Sequence, residues 1–151
     1  MTSSDVSPRE SRQLAVASAT LGPWRTAGAV GVVGGAAALG VDLITLHWSL
    51  GILAGPASIA LFLFFLVGGV GSVVGRRGGE RRLRRWAAEH PWQTALAPAG
   101  ALAVTNTITQ FLLSSDGVFA SILTGLWHAA ILGVVIGVVG AVAGARRRDN
   151  A

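Results

Sequence analysis

Residues 50–85 read LGILAGPASIALFLFFLVGGVGSVVGRRGGERRLRR, a charge-free apolar run followed at once by six arginines. The apolar part, residues 50–75, exceeds the roughly 20 apolar residues that cross a bilayer core as a helix. Three more stretches have the same apolar character, at residues 26–48, 92–114 and 118–145. The sequence therefore predicts an all-α membrane protein with four transmembrane helices.

All twelve basic residues are arginines, and they fall on one side of the four predicted spans. They are Arg9, Arg12 and Arg25 before the first span, Arg76, Arg77, Arg81, Arg82, Arg84 and Arg85 between the second and third, and Arg146, Arg147 and Arg148 after the fourth. Cytoplasmic loops carry such an excess of arginine, so both termini are predicted to be cytoplasmic in a multi-pass protein of the cell membrane. We expect the nine arginines of the central loop and the tail to contact anionic lipid headgroups.

Composition argues against a soluble protein and against several chemistries. Only 13% of residues are charged, whereas a soluble domain has about 25%. The net charge of +5 could indicate nucleic-acid binding, but the arginines flank apolar spans, so no nucleic-acid partner is expected. The absence of cysteine excludes disulfides, thiol nucleophiles and cysteine-bound metal.

The spans pair into two hairpins that resemble copies of one unit. The sequence PWRTA at residues 23–27 recurs as PWQTA at residues 91–95, 68 positions later. We expect tandem hairpins at residues 23–75 and 91–145, which make up the transmembrane domain 23–145. The polar segment 1–22 is expected to be a disordered cytoplasmic N-terminus, 76–90 a cytoplasmic loop with an interfacial helical turn, and 146–151 a cytoplasmic tail.

Glycines four residues apart predict close helix packing. The pairs are Gly31/Gly35, Gly71/Gly75, Gly133/Gly137 and Gly140/Gly144. Such pairs let helix backbones approach each other in lipid, either within one bundle or between copies in a homo-oligomer. The pattern alone does not separate these two uses.

Asp42 is the one formal charge inside a predicted span. It precedes Trp48 by six residues, which puts it roughly 9 Å below the outer boundary. A carboxylate at that depth is a candidate proton carrier or cation site, or it reaches interfacial water or a neighbouring helix.

The third span carries Asn106, Thr109 and Gln110 on one face. Under the 68-residue offset, Gln110 takes the position of Asp42. Amides at this depth favour hydrogen bonds between helices, and the functional alternative is the lining of a small polar pathway.

His128 lies in the fourth span on the same face as Ser121 and Thr124, roughly 15 Å from the outer end. It could relay a proton or bind haem, but a neutral histidine bonded to Asp42, Asn106 or Gln110 is favoured. Haem would need a second ligand such as His47, whose estimated depth differs by more than about 10 Å. We therefore expect no cofactor and no metal.

Catalytic motifs such as HExxH, a P-loop or GxSxG do not occur in the sequence. Enzymatic activity is therefore unsupported. The segment 40–43 (GVDL), the arginine-rich loop ending in Trp86 and His128 resemble uncharacterised actinobacterial four-helix membrane proteins. The resemblance implies a four-helix integral membrane protein and no known activity.

Two functions lead, and a redox subunit that uses His128 ranks behind them. The first is a structural or accessory protein that contacts a membrane-protein partner or a second copy of itself. The alternative is a small transporter or channel with an intramembrane polar site. Its candidate residues are Asp42, Asn106, Gln110 and His128.

Overall fold

The structure, a computed structural model, describes residues 8–45, 50–74, 81–115 and 117–149. The described part contains six α-helices and a short 3-10 helix, Leu50–Leu53. The α-helices are α1 (Pro8–Ala19), α2 (Trp24–Ile44), α3 (Ala54–Val74), α4 (Arg81–Glu89), α5 (Pro91–Leu113) and α6 (Val118–Asp149).

Four of these helices are long and apolar enough to cross a membrane. They are α2 and α3, with 21 residues each, α5 with 23, and a 29-residue part of α6. At 1.5 Å rise per residue, about 20 residues span a hydrocarbon core of about 30 Å. The predicted all-α class, with four helices long and apolar enough to span a membrane, is therefore confirmed.

The spanning helices pack around α3. Helix α5 lies against α6, and both also contact α3. Helix α2 contacts α3 and the 3-10 helix, and within the described residues no Cα of α2 comes within 8 Å of α5 or α6. Helices α3, α5 and α6 therefore form the centre, with α2 on the outside of α3.

The core lies where α3, α5 and α6 meet. Its buried members are Val73, Ala95, Leu102, Leu132 and Ile136. Many large apolar side chains point outward instead, for example Val32, Leu96 and Phe119, at 72%, 70% and 90% exposure. Such an apolar exterior fits a helical bundle surrounded by lipid.

Glycine allows α2 and α3 to touch along their backbones. A Cβ atom at Gly31 would lie 2.7 Å from the carbonyl oxygen of Ala60, and one at Gly35 would lie 2.8 Å from Ala60 Cβ. By contrast, a Cβ at Gly28 would meet nothing within 4 Å. The predicted Gly31/Gly35 pair thus packs inside the bundle.

Helices α2 and α3 form one packed pair, and α5 and α6 form another. In each pair, a tryptophan near the start of the first helix lies over a glycine of the second. The Trp24 ring occupies the space beside Gly68, and the Trp92 ring occupies the space beside Gly137. A side chain at either glycine would collide with the indole.

The prolines before these tryptophans behave in the same way. Pro23 lies over Gly71, and a Cβ at Gly140 would come within 2.7 Å of Pro91 Cβ. Gly75 of the predicted Gly71/Gly75 pair lies outside the described residues.

The N-terminal segment differs from the predicted disorder over residues 1–22, because Pro8–Ala19 form helix α1. Helix α1 packs against α4 and α5, and Ser18 is fully buried with its Oγ 3.4 Å from Thr94 Oγ1. Trp24 Nε1 donates to the carbonyl oxygen of Ala19 at 3.2 Å. These polar contacts fix the C-terminal end of α1, which the polar composition of the segment did not reveal.

The central connection contains helix α4, Arg81–Glu89, within the segment 76–90 where a helical turn was expected. Trp86 is buried, and its ring stacks on His90 with centroids 4.9 Å apart. Arg85 is exposed and pairs with Glu89 at 3.2 Å. Arg76 and Arg77 lie outside the described residues, as do the side chains of Arg81, Arg82, Arg84, Arg147 and Arg148.

Candidate functional site

Asn106 and His128 meet across the interface of α5 and α6. Asn106 is fully buried, and its Nδ2 lies 3.5 Å from His128 Nδ1. His128 Nδ1 also lies 2.8 Å from the carbonyl oxygen of Thr124, one turn earlier in α6. The Phe62 ring of α3 meets the imidazole edge-on, with centroids 6.3 Å apart. All three central helices therefore surround this histidine.

The short contact with the Thr124 carbonyl oxygen assigns the tautomer of a neutral His128 ring. A carbonyl oxygen only accepts hydrogen bonds, so at 2.8 Å His128 Nδ1 must carry the proton and donate it. The other ring nitrogen, Nε2, is then the one that can accept a proton or a hydrogen bond. Backbone anchoring of this kind also orients histidines that bind ligands through the second nitrogen.

Gln110 joins α5 to α3. Its Nε2 donates to Ser58 Oγ at 2.8 Å, and both residues are buried. Ser58 was not among the predicted site residues. Its signal was available in the sequence, since Ser58 and Ser72 are the only side chains with hydrogen-bonding groups in the apolar run 50–75.

Asp42 lies apart from the other three predicted residues. Its Oδ2 faces the start of α3, 3.8 Å from the point where a Cβ of Gly55 would lie. Because α2 does not approach α5 or α6 in the described chain, Asp42 does not join Asn106 or His128. Depth along the helix made Asp42 and Gln110 equivalent, but the two residues face different neighbours.

The hydroxyl residues expected on the polar faces, Thr109 and Ser121, differ in their hydrogen bonding. Thr109 donates to the carbonyl oxygen of Thr105 at 2.9 Å, so it bonds within its own helix. Ser121 is 1% exposed, and its Oγ has no hydrogen-bond partner in the described chain. Asn106 Oδ1 is likewise buried and unpartnered there.

The described residues do not provide a group of side chains that could coordinate a metal ion. Within them, no three histidine, cysteine, aspartate or glutamate side chains form a group that could hold an ion. His47, the second ligand that the haem hypothesis would need, lies outside the described residues. Haem binding through His128 therefore stays a hypothesis.

Chemically, the arrangement offers hydrogen bonding and one basic nitrogen. Asn106, Gln110, Ser58 and Ser121 supply neutral donors and acceptors, and His128 Nε2 supplies the base.

Comparison with protein-family models, curated proteins and solved structures gives no match. The resemblance to actinobacterial membrane proteins therefore stays an expectation.

Proposed function

We propose that this chain is a multi-pass cell-membrane protein with cytoplasmic termini and a structural or accessory role. It would act by contact with another membrane protein or with a second copy of itself. Four apolar helices of spanning length support the membrane assignment. The arginines confined to alternate connections support the orientation, as does their expected attraction to anionic headgroups.

The hydrogen bond between Gln110 and Ser58 is the observation that best supports the accessory role. A buried amide in a membrane helix either binds a substrate or forms a hydrogen bond to another helix. The Gln110 amide forms such a bond, from its Nε2 to Ser58 Oγ at 2.8 Å, and so joins α5 to α3. His128 uses one ring nitrogen for a hydrogen bond to the backbone of its own helix, α6, so that nitrogen is not free for a substrate. With Asp42 on the outer helix, the polar side chains act mainly as fasteners between helices.

A flux measurement separates this role from transport. The purified protein is placed in liposomes that contain a pH-sensitive dye, and a potassium gradient with valinomycin drives protons across the bilayer. The accessory role predicts the same proton leak as in protein-free liposomes. A larger flux that is lost in Asp42→Asn or His128→Ala, but kept in the outward-facing Trp127→Ala, would contradict it.

One observation favours the alternative of a small transporter or channel. Asn106 and Ser121 each bury a polar atom that the described chain does not satisfy. Unsatisfied groups line pathways for polar solutes because the solute completes their hydrogen bonds. The His128→Ala arm of the flux measurement tests this alternative, because His128 lies beside Asn106.

The choice between a second copy and a different partner requires a mass measurement. Native mass spectrometry of the protein released from lipid nanodiscs gives the number of chains and the mass of bound lipid. A dimer or higher oligomer would support self-association. A monomer that retains anionic lipid would assign the role to a different membrane protein.

We further propose that the two helix pairs arose by tandem duplication. Supporting contacts recur with nearly constant offsets. Trp24 and Trp92 differ by 92 − 24 = 68, and their partners Gly68 and Gly137 differ by 137 − 68 = 69.

A second set of contacts supports the duplication with the glycine on the opposite helix. A Cβ at Gly35 would lie 3.1 Å from the carbonyl oxygen of Pro56, and one at Gly125 would lie 2.9 Å from that of Ala103. The offsets are again 103 − 35 = 68 and 125 − 56 = 69. One backbone approach is thus made twice, with the glycine supplied by the first helix of one pair and by the second helix of the other.

A further inference from the structure

Two buried polar atoms at the interface of α5 and α6 lack a partner in the described chain: Asn106 Oδ1 and Ser121 Oγ. Asn106 is 0% and Ser121 is 1% exposed. Buried polar groups in proteins are almost always paired, either with other protein groups or with ordered water. Inside a bilayer no bulk solvent can supply the missing bond.

Exchanging the oxygen and nitrogen of the Asn106 amide still leaves one of its polar groups without a hydrogen-bond partner in the described chain. With His128 Nδ1 donating to Thr124, the Asn106 Nδ2 at 3.5 Å faces another donor. Exchanging the amide oxygen and nitrogen would bring an acceptor toward that N–H. It would also put the two amide N–H groups in the buried position that has no partner. In either orientation, the Asn106 amide needs another hydrogen-bonding molecule.

Ser121 differs from Thr105 and Ser72, two other hydroxyl residues of the spanning helices. Thr105 donates to the carbonyl oxygen of Ala101 at 2.8 Å, and Ser72 donates to that of Gly69 at 2.7 Å. These intrahelical bonds are the usual solution in lipid. Ser121 makes no such bond in the described chain, so its hydroxyl remains available to a ligand.

The space beside these groups is narrow. Gly125 lies between Ser121 and His128 on one face of α6, where a Cβ would collide with Thr107 Oγ1 and come within 2.9 Å of the Ala103 carbonyl oxygen. A ligand beside either group must therefore be small and able to form hydrogen bonds, donating to Asn106 Oδ1 in one case and bonding to the Ser121 hydroxyl in the other. Water meets these requirements.

We propose that water enters the α5–α6 interface at Ser121, hydrates Asn106 and reaches Nε2 of His128. The entry point is the end of the bundle where α6 begins. Ser121 is three residues into α6, roughly 4.5 Å, and His128 is ten residues in, roughly 15 Å. The result is a hydrated notch that ends at a basic nitrogen, and it goes beyond the fastening role of the polar residues.

Single cysteines test the notch directly, because the chain has none of its own. The full-length variants Ser121→Cys and Ile122→Cys compare the notch with the outer surface at the same depth, since Ile122 is 40% exposed. His128→Cys and Trp127→Cys make the same comparison near the midplane, with Trp127 66% exposed. The probe is the silver ion, which is close to water in size and reacts with thiolates. Its reaction is read as blocked maleimide labelling after denaturation.

The notch predicts that Ser121→Cys and His128→Cys react about tenfold faster or more than their neighbours, because the reactive thiolate forms where water solvates it. Equal rates within each pair would overturn the proposal. So would no reaction at either notch position while a loop control, Ser115→Cys, reacts. If His128→Cys fails to fold, Thr124→Cys and Leu123→Cys replace that pair. The outcome does not depend on whether the protein transports anything.

Discussion

Gln110 of α5 donates a hydrogen bond to Ser58 of α3 at 2.8 Å, between two side chains that are both buried among apolar neighbours. The bond links the two helix pairs, since α3 belongs to the first and α5 to the second. Apolar packing in a membrane is as good against lipid as against protein, so such a bond specifies which helix faces match. The Gln110–Ser58 pair can therefore be explained by assembly of the bundle.

The Gln110–Ser58 bond should be measurable as an energetic coupling. Gln110→Leu and Ser58→Ala should each lower the free energy of unfolding, and the double variant should lose less than the sum. The expected coupling is about 0.6 kcal/mol, with an upper range of about 1.7, as for other hydrogen bonds between membrane helices. Unfolding in mixed micelles measures it. Strictly additive losses would show that the bond contributes nothing.

Glycine packing between α2 and α3 predicts a contrast between neighbouring positions. Gly31→Ala puts a methyl group 2.7 Å from the Ala60 carbonyl oxygen, whereas Gly28→Ala meets nothing within 4 Å. Gly31→Ala should cost about 1–3 kcal/mol, as overpacking does. Gly28→Ala should be neutral or slightly stabilising, because alanine favours helix more than glycine does. Thermal unfolding of both variants in detergent tests this, and equal stability would contradict the backbone contact.

The tryptophan-over-glycine contacts predict parallel effects in the two helix pairs. Gly68→Val and Gly137→Val should each displace an indole, Trp24 in one case and Trp92 in the other. Gly133→Ala is the control, because its Cβ would lie at an ordinary 3.6 Å from Ala99. Tryptophan emission should shift to the red in both valine variants and stay unchanged in the control. A shift in only one variant would weaken the case for duplication.

Orientation can be tested from intact cells. A membrane-impermeant thiol reagent added outside should label Ser115→Cys, which is exposed between α5 and α6. It should label Arg85→Cys only after the membrane is opened, because the arginine-rich connection is predicted to be cytoplasmic. The reverse pattern would place both termini outside.

Hydropathy was sufficient to find the spanning helices, because a charge-free run of membrane length has few alternatives in water. Predicted span 92–114 and helix Pro91–Leu113 differ by one residue at each end. The second membrane-length helix, α3, begins at Ala54 rather than at the predicted residue 50, because Leu50–Leu53 form a 3-10 turn. Hydropathy does not detect such a turn, since its residues are as apolar as the helix.

Contacts between helices were harder to predict than the helices themselves. Periodicity gave the face shared by Asn106 and Gln110, but it did not say that Gln110 turns to Ser58 while Asn106 turns to His128. It also made Asp42 equivalent to Gln110, because depth can be read from a sequence and the order of helices cannot. Helix α1 was missed for a related reason, since its polar sequence gains stability from contacts with α4 and α5.

We propose that the Gln110–Ser58 bond joins α5 to α3 and that Asp42 is not part of a site shared with Asn106 and His128. Paired cysteines in membranes test it, with crosslinking by copper phenanthroline or bridging by Cd²⁺ within one chain. Asn106→Cys with His128→Cys, and Gln110→Cys with Ser58→Cys, should crosslink because these side chains are in contact. Asp42→Cys with His128→Cys should not. Efficient crosslinking of that last pair would contradict the account and indicate a shared intramembrane site.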